Sequence, residues 1–191
     1  MNDVIFKNSK WICCDKFANI APINVLHKKC DNVKIDTPDE LKNIHMLVKK
    51  EFEYYRTSES ATIRITADDY YKLYINGEFV GQGPAQGYYF NYYWNEYDIS
   101  EFLKNGLNEI FVDVYYQGFI SRAYNSGDRR MGMIAELYSG ENIIVATDET
   151  WLYTYSEAFT SKRFIGYYSL FAEDYDSRLK PLDWQSCLCK K

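Results

Sequence analysis

The sequence predicts an all-β protein, an antiparallel β-sandwich of the jelly-roll type with one or two short helices. Three observations favour this fold class: short segments of alternating polarity, turn residues between them at near-regular intervals, and many aromatic residues. The 191 residues include 19 Tyr, 11 Phe and 4 Trp, so 18% of the chain is aromatic. Tyrosine favours strands because its flat ring suits a half-buried pleated surface. A chain of this length has room for one well-buried domain.

The strands are predicted from period-two alternation. In the segment ATIRIT, the side chains of Ala61, Ile63 and Ile65 share one face of the strand. Further strands are predicted in the segments MLVKKEFEYY, YKLYI, IFVDVYY, MGMIAELY, IIVATD and WLYTY. With the segment that follows Gly77, this makes about seven or eight strands, as in a two-layer sandwich.

A tight hairpin is predicted at Asn76-Gly77, the residue pair that favours a type I′ turn because both positions need positive φ. The predicted register pairs Ile75 with Glu78, Tyr74 with Phe79 and Leu73 with Val80. Both faces of this hairpin are apolar. We therefore expect Tyr74 and Phe79 to pack under a loop on the outer face.

Two short helices are predicted. Thr37 to Glu40 match a capping box with Pro at the first helical position, which predicts a helix as far as about His45. Asp98 to Leu103 are expected to form one helical turn that Asp98 or Ser100 caps.

The expected domain organisation has three parts. Residues 1–45 form an N-terminal segment packed on the sandwich, residues 46–185 form the sandwich, and residues 186–191 form a tail. This tail is either truncated or a linker to a missing catalytic domain.

Several functional classes are disfavoured by composition. A net charge of -5 has the wrong sign for binding nucleic acid. The chain has no apolar run that could cross a membrane, and its start lacks the apolar core of a secretory signal, so we expect a cytoplasmic protein without membrane contact. The five cysteines follow neither a disulfide nor a zinc pattern, so reduced thiols are expected. No spaced Asp/Asn ladder indicates calcium, and no metal or other cofactor is expected.

Four segments carry a family resemblance: ITADDYYKLYINGEFVGQGPA, YDISEFLKNGLNEIFVDVYYQG, IVATDETW and EDYDSRLKPLDW. In this order they resemble the N-terminal β-sandwich domain of bacterial α-L-rhamnosidases, which are glycoside hydrolases. The resemblance implies a galactose-binding-like sandwich that, in the family, precedes further β modules and a helical barrel with the catalytic carboxylates. The sequence ends soon after the last segment. We therefore expect an accessory domain that supports substrate capture or the catalytic barrel, and that is inactive alone.

Catalysis by the chain itself is the least favoured alternative. The candidate carboxylates are Asp68, Asp69, Asp113, Glu173 and Asp174. Neighbouring strand residues point to opposite faces, so Asp68 and Asp69 are expected to bond backbone amides in a tight connection. Asp113, in an apolar strand, is expected either to face solvent or to be buried with Arg122 or Arg64 as its partner. His27 and His45 are expected to be surface or packing residues, since neither has the neighbours of a histidine-dependent site.

Sugar binding is the chemistry that the remaining residues favour. A pyranose offers C–H groups on one face and hydroxyls around its rim, so aromatic rings beside amide and guanidinium groups suit it. The predicted carbohydrate-binding residues are Tyr88, Tyr89, Asn91, Trp94, Arg122 and Arg129. The other interpretation, favoured because tyrosines in strands are commonly structural, is that these rings build the core or a surface between domains.

The expected partners are a rhamnose-containing saccharide or another glycan, and the missing catalytic domain of the same polypeptide. Self-association into a homodimer is left open. The alternative functions are a stand-alone, lectin-like sugar-binding module and, less favoured, a glycosidase in its own right.

Overall fold

Two antiparallel sheets form a β-sandwich in the computed structural model, which describes residues 5–24, 38–119, 126–161, 163–166, 170–181 and 183–190. The strands are β1 (Ile12–Cys13), β2 (Ile44–Tyr54), β3 (Ala61–Asp68), β4 (Tyr70–Ile75), β5 (Glu78–Gly83), β6 (Asn95–Asp98), β7 (Gly106–Tyr116), β8 (Gly132–Ser139), β9 (Asn142–Ala146), β10 (Leu152–Tyr155), β11 (Phe164–Ile165), β12 (Leu170–Phe171), β13 (Gln185–Ser186) and β14 (Leu188–Cys189). The predicted fold class is confirmed.

The two sheets have different strand orders. Sheet A runs β14, β1, β8, β3 and β6, and β9 also pairs with β8. Sheet B runs β13, β10, β2, β7, β4 and β5, and β11 and β12 form a separate hairpin. Strands β1 and β14 belong to sheet A although both lie outside residues 46–185, the limits that the sequence suggests for the sandwich.

The core lies between the sheets and contains several of the aromatic residues. Ala61, Ile63 and Ile65 are fully buried, as their alternation predicts. The largest fully buried side chains include Trp151, Tyr71, Tyr116 and Tyr153. Part of the high tyrosine content is therefore structural.

The hairpin turn forms where the sequence predicts it, with φ values of 51° at Asn76 and 82° at Gly77. Ile75 pairs with Glu78 and Tyr74 with Phe79, as predicted. A register shift then places Leu73 opposite Gly81, so the predicted pairing of Leu73 with Val80 is wrong.

The outer face of the hairpin also differs from expectation. The Phe79 side chain is 53% exposed, so the prediction that it packs under a loop is wrong. Its ring contacts the ring of Tyr74 edge to face, at 5.6 Å between centroids.

Helical structure is limited to one short helix, α1 (Asp15–Ala18), and a 3-10 turn at Asp39–Leu41 in the described ranges. The predicted helix to about His45 is wrong because β2 already begins at Ile44; Thr37 lies outside the described residues. No helix in these ranges has the length and apolarity needed to cross a membrane.

The predicted helical turn at Asp98 to Leu103 is a hydrogen-bonded turn instead. The Asp98 carboxylate accepts a hydrogen bond from the Ser100 backbone N–H at 2.9 Å, so the capping contact forms without a helix. A short segment between two strands has too few residues to nucleate a helix against strand pairing.

The hairpin turn provides a test of the fold. A Cβ at residue 77 would meet no atom within 4 Å, so the strain in Gly77→Ala comes from the positive φ alone. We expect Gly77→Ala to lower the free energy of unfolding by about 1–2 kcal/mol in urea denaturation. Glu78→Ala, at the next and exposed position, is the matched control. An equal loss in both variants would contradict this account of the turn.

Candidate functional site

The candidate site is built around the point where the chain passes from sheet A to sheet B. Strand β3 ends at Asp68 in sheet A, and β4 begins at Tyr70 in sheet B. The Asp69 backbone N–H donates to the Tyr115 carbonyl at 3.0 Å. The Asp69 carboxylate accepts the Gln117 backbone N–H at 2.7 Å, which is the amide contact that the sequence predicts. The backbone and the side chain of Asp69 are therefore both bonded to the chain at the end of β7.

Asp68 makes a different contact, to a side chain in the loop that precedes β6. The Tyr92 hydroxyl donates a hydrogen bond to the buried Asp68 carboxylate at 2.5 Å. The Tyr92 ring also lies 5.2 Å from the Trp11 ring, beside β1. Tyr92 therefore joins the loop, the sheet crossing and the N-terminal strand.

A second loop, Ser126 to Arg130, is fixed by a core tyrosine. The hydroxyl of the buried Tyr116 accepts backbone N–H groups from Gly127 at 3.1 Å and Arg129 at 2.8 Å. Arg130 forms a salt bridge with Asp128, with 3.1 Å between Nη1 and Oδ2. The same guanidinium lies 4.5 Å from the centroid of the Tyr89 ring, so a cation–π contact joins the two loops.

Beside these two loops lie two adjoining cavities, here called the acidic cleft and the aromatic groove. The acidic cleft, about 30 Å³ in volume, is lined by carboxylates of Asp68, Asp69 and Asp128. The aromatic groove has a volume of about 330 Å³. It is lined by Trp11, Phe17, Ala18, Ile20, Pro22, Tyr89, Tyr92, Arg129, Arg130 and Lys190. Tyr89 and Tyr92 line both, so these two rings separate a water-sized acidic cleft from a larger groove.

Protonation is perturbed in the acidic cleft. Burial and the nearby Asp68 carboxylate raise the pKa of Asp128 to about 7, although its hydrogen bonds with Arg130 oppose the shift. Burial and the same neighbour raise the pKa of Asp69 well above its ordinary value. In the adjoining aromatic groove, burial lowers the pKa of the Lys190 ammonium group. Burial and proximity therefore favour the protonated form of two carboxyl groups in the cleft, those of Asp69 and Asp128.

The structure separates the residues that the sequence predicts for sugar binding. Tyr88 lines the acidic cleft, Tyr89 lines both concavities, and Arg129 lines the aromatic groove. Asn91 and Trp94 line neither. The Asn91 backbone N–H closes a turn onto the Tyr88 carbonyl at 2.7 Å.

Trp94 lies on the outer side of sheet A, where the Arg64 guanidinium is 5.6 Å from its ring. Arg122, the sixth predicted residue, lies outside the described residues.

Three residues of the site are not among those that the sequence predicts for it. Trp11, Asp128 and Lys190 come from distant segments and meet here because β1 pairs with both β8 and β14. Of these three residues, only Trp11 has a local sequence signal, because it lies in a segment with an apolar strand pattern.

Asp113 is buried, which is one of its two expected environments, but its partner differs from expectation. The partner is His45 rather than Arg64, with 3.0 Å between Nδ1 and Oδ1. His45 is a packing residue, as predicted, since its ring stacks on Phe159 at 3.5 Å. His27 lies outside the described residues.

The thiols agree with the sequence prediction. Cys13, Cys14 and Cys187 are buried and free, and burial raises the pKa of each thiol. Cys30 lies outside the described residues. Within the described ranges, no three His, Cys, Asp or Glu side chains are arranged to hold a metal ion.

Comparison with known proteins identifies the family. The protein-family model of the alpha-L-rhamnosidase N-terminal domain matches residues 56–191 of this chain. The chain belongs to this family. No curated protein matches the sequence of this rhamnosidase N-terminal domain.

Solved structures agree with the family assignment. A GH78 family rhamnosidase of Bacillus sp. GL1 is similar at a TM-score of 0.69 and 25% identity, covering 96% of this chain and 18% of that chain. The α-L-rhamnosidase from Aspergillus terreus is similar in fold at a TM-score of 0.63 and 20% identity, covering 96% of this chain and 21% of that chain. This rhamnosidase N-terminal domain therefore spans about a fifth of the length of these enzymes.

A lectin shares the fold as well. The lectin from Pleurotus ostreatus in complex with GalNAc is similar at a TM-score of 0.50 and 19% identity, covering 95% of this chain and 41% of that chain.

The raised pKa of Asp128 predicts a pH dependence of stability. Folding raises this pKa from 3.8 to about 7. The contribution of Asp128 to the free energy of unfolding is therefore complete below pH 3.8 and is lost as the pH rises through about 7. We expect Asp128→Asn to remove this loss. The free energy of unfolding should then fall less in the variant than in the wild type between about pH 5 and pH 8.

Asp176→Asn is the control for this measurement. Hydrogen bonds from Arg178 lower the pKa of Asp176, so its contribution changes only at more acidic pH. An unchanged slope in Asp128→Asn, measured by urea denaturation at each pH, would contradict the assignment of the proton to Asp128.

Proposed function

We propose that the chain is a non-catalytic accessory domain of an α-L-rhamnosidase-type glycoside hydrolase and that it binds a rhamnose-containing saccharide in the aromatic groove. The observation that carries this proposal is the arrangement of Tyr89 and Tyr92 between a 330 Å³ groove and a cleft lined by carboxylates. The family assignment supports the accessory role.

The chemistry of the groove suits a 6-deoxy sugar. The C–H face and the methyl group of rhamnose can pack on the Tyr89 and Trp11 rings, while its hydroxyls can bond to charged groups at the edge. Arg129 contributes a buried Nε that has no hydrogen-bond partner among the described residues. A buried donor of this kind is costly unless it is paired, so a sugar hydroxyl oxygen would be a favourable acceptor.

The acidic cleft is poorly suited to glycoside hydrolysis. Hydrolysis needs two carboxyl groups on opposite sides of the scissile bond, with space for the sugar and, in inverting enzymes, for water. Here Asp68 is bonded to Tyr92 and Asp69 to the Gln117 amide, and the cleft that they line has a volume of about 30 Å³. A cleft of this volume has room for about one water molecule and not for a sugar ring.

The proposed partner for catalysis is the remainder of a longer polypeptide. The chain spans 18% of the Bacillus sp. GL1 rhamnosidase and 21% of the Aspergillus terreus enzyme. An accessory sugar site would raise the local concentration of substrate near a tethered catalytic domain, and this effect does not require tight binding.

Loss of the Tyr89 ring should weaken rhamnose binding. We expect Tyr89→Ala to raise the dissociation constant for L-rhamnose about tenfold in isothermal titration calorimetry, because a stacked ring contributes about 0.5–1.5 kcal/mol. Trp94→Ala is a matched control, since both side chains are 37% exposed and Trp94 lies outside the groove. Equal losses in the two variants would argue against the groove.

The isolated chain should not cleave rhamnosides. We expect no release of nitrophenol from nitrophenyl α-L-rhamnoside above the buffer rate, because neither Asp68 nor Asp69 can reach a glycosidic bond from its present contacts. If nitrophenol is released, the Asp68→Asn variant shows whether the chain itself or a contaminating enzyme is responsible, because a contaminant is unaffected by the substitution. Turnover that this substitution removes would overturn the non-catalytic assignment.

A further inference from the structure

A second surface with binding chemistry lies on the outer face of sheet B. Strands β4 and β7 pair so that Tyr70 faces Tyr115, Lys72 faces Asp113, and Tyr74 faces Phe111. The residues between them, including Leu73 and Val112, point into the core and are fully buried. The outer face therefore presents an aromatic pair, a charged pair and a second aromatic pair in succession.

A segment after β10 forms the opposite wall of this surface. Two adjoining cavities of about 330 Å³ and 400 Å³ lie between it and the sheet. Both cavities are lined by Lys72, Asp113, Phe159 and Glu173, so they form one elongated space, here called the sheet B trough. Tyr70 and Tyr115 line one end, and Tyr74 and Phe111 line the other.

The charged centre of the trough is only partly paired by the described part of the chain. Asp113 is held by His45, whose ring lies between Phe159 at 3.5 Å and Tyr115 at 4.7 Å. Lys72 and Glu173 take part in no salt bridge among the described residues. One carboxylate is therefore fixed in position, while an ammonium group and a second carboxylate remain available for hydrogen bonds.

We infer that the sheet B trough is a second saccharide site, which takes a neutral oligosaccharide of at least two pyranose rings. Tyr70 and Tyr74 are four residues apart, a distance of about 13 Å along a strand, which is longer than one pyranose ring. Two aromatic platforms separated by hydrogen-bonding groups suit two successive sugars, because each ring packs on an apolar platform and the hydroxyls between them bond to Lys72 and Glu173.

The charges favour a neutral ligand over an ionic one. The trough contains an ammonium group beside two carboxylates, so it offers donors and acceptors together and repels neither sign strongly. An apolar protein segment seated here would leave Lys72 and Glu173 desolvated without partners, which is unfavourable. The trough shares no lining residue with the aromatic groove, so the two sites are independent.

The test compares L-rhamnose with a linear α-L-rhamno-trisaccharide by amide NMR titration of the 191-residue chain. We expect the trisaccharide to shift amide signals of β4 and β7. Lys72→Met keeps an apolar stem of similar length and removes the ammonium group, so it should raise the dissociation constant at these signals about tenfold. Lys104→Met, at an exposed position outside the trough, is the matched control. This substitution should leave the dissociation constant unchanged.

Two further variants separate this proposal from the first site. Phe111→Leu keeps apolar volume and removes a ring, so it should also weaken trisaccharide binding to the trough. Tyr89→Ala should weaken rhamnose binding to the aromatic groove and leave the β4 and β7 shifts intact. Absence of trisaccharide shifts in β4 and β7, or an unchanged affinity in both Lys72→Met and Phe111→Leu, would overturn the second site.

Discussion

The passage of the chain from sheet A to sheet B through a single residue, Asp69, is the constraint on which the candidate site depends. Asp69 holds the edge of β7 through the Tyr115 carbonyl and the Gln117 amide. Asp68, one residue earlier, receives the Tyr92 hydroxyl. The Asp68 contact holds the loop that carries Tyr88 and Tyr89 beside the second loop, so that Asp128 lines the same cleft.

This arrangement has an energetic cost. Asp68, Asp69 and Asp128 line one small cleft, and burial with mutual repulsion raises the pKa values of Asp69 and Asp128. Carboxyl groups that retain protons near neutral pH avoid part of this repulsion, and they can donate hydrogen bonds as well as accept them. Functional sites often contain such locally unfavourable arrangements, which the surrounding fold stabilises.

The fold could be predicted from local sequence because its signals are local. Alternation in β3 defines its buried face, and Asn76-Gly77 determines the turn between β4 and β5. The register shift between Leu73 and Tyr74 has no signal in the local alternation. On the partner strand, a Cβ at Gly81 would come within 2.5–2.9 Å of the Tyr97 side chain, a contact between β5 and β6 that the turn sequence does not encode.

The site could be predicted only where its residues are clustered in sequence. Tyr88 and Tyr89 belong to an aromatic segment, and Arg129 to a polar connection. Trp11 reaches the site because Gly132 in β8 lacks a side chain: a Cβ there would collide with the Trp11 indole. Such contacts depend on pairing between distant strands, which no local pattern encodes.

The partner of Asp113 could not be predicted for the same reason. The alternation in β7 correctly places Asp113 on the face of the strand that points away from the core. Its neighbouring side chain, however, is determined by the pairing of β2 with β7. That register places His45 opposite Tyr115 and Leu47 opposite Asp113, so the imidazole reaches the carboxylate diagonally.

A crystal structure of the chain with L-rhamnose tests the central claim most directly. The account predicts electron density for one sugar in the aromatic groove, with its apolar face on Tyr89 and its hydroxyls toward Arg129 and the acidic cleft. Sugar density against Trp94 on the outer side of sheet A, with the aromatic groove filled only by water, would contradict it.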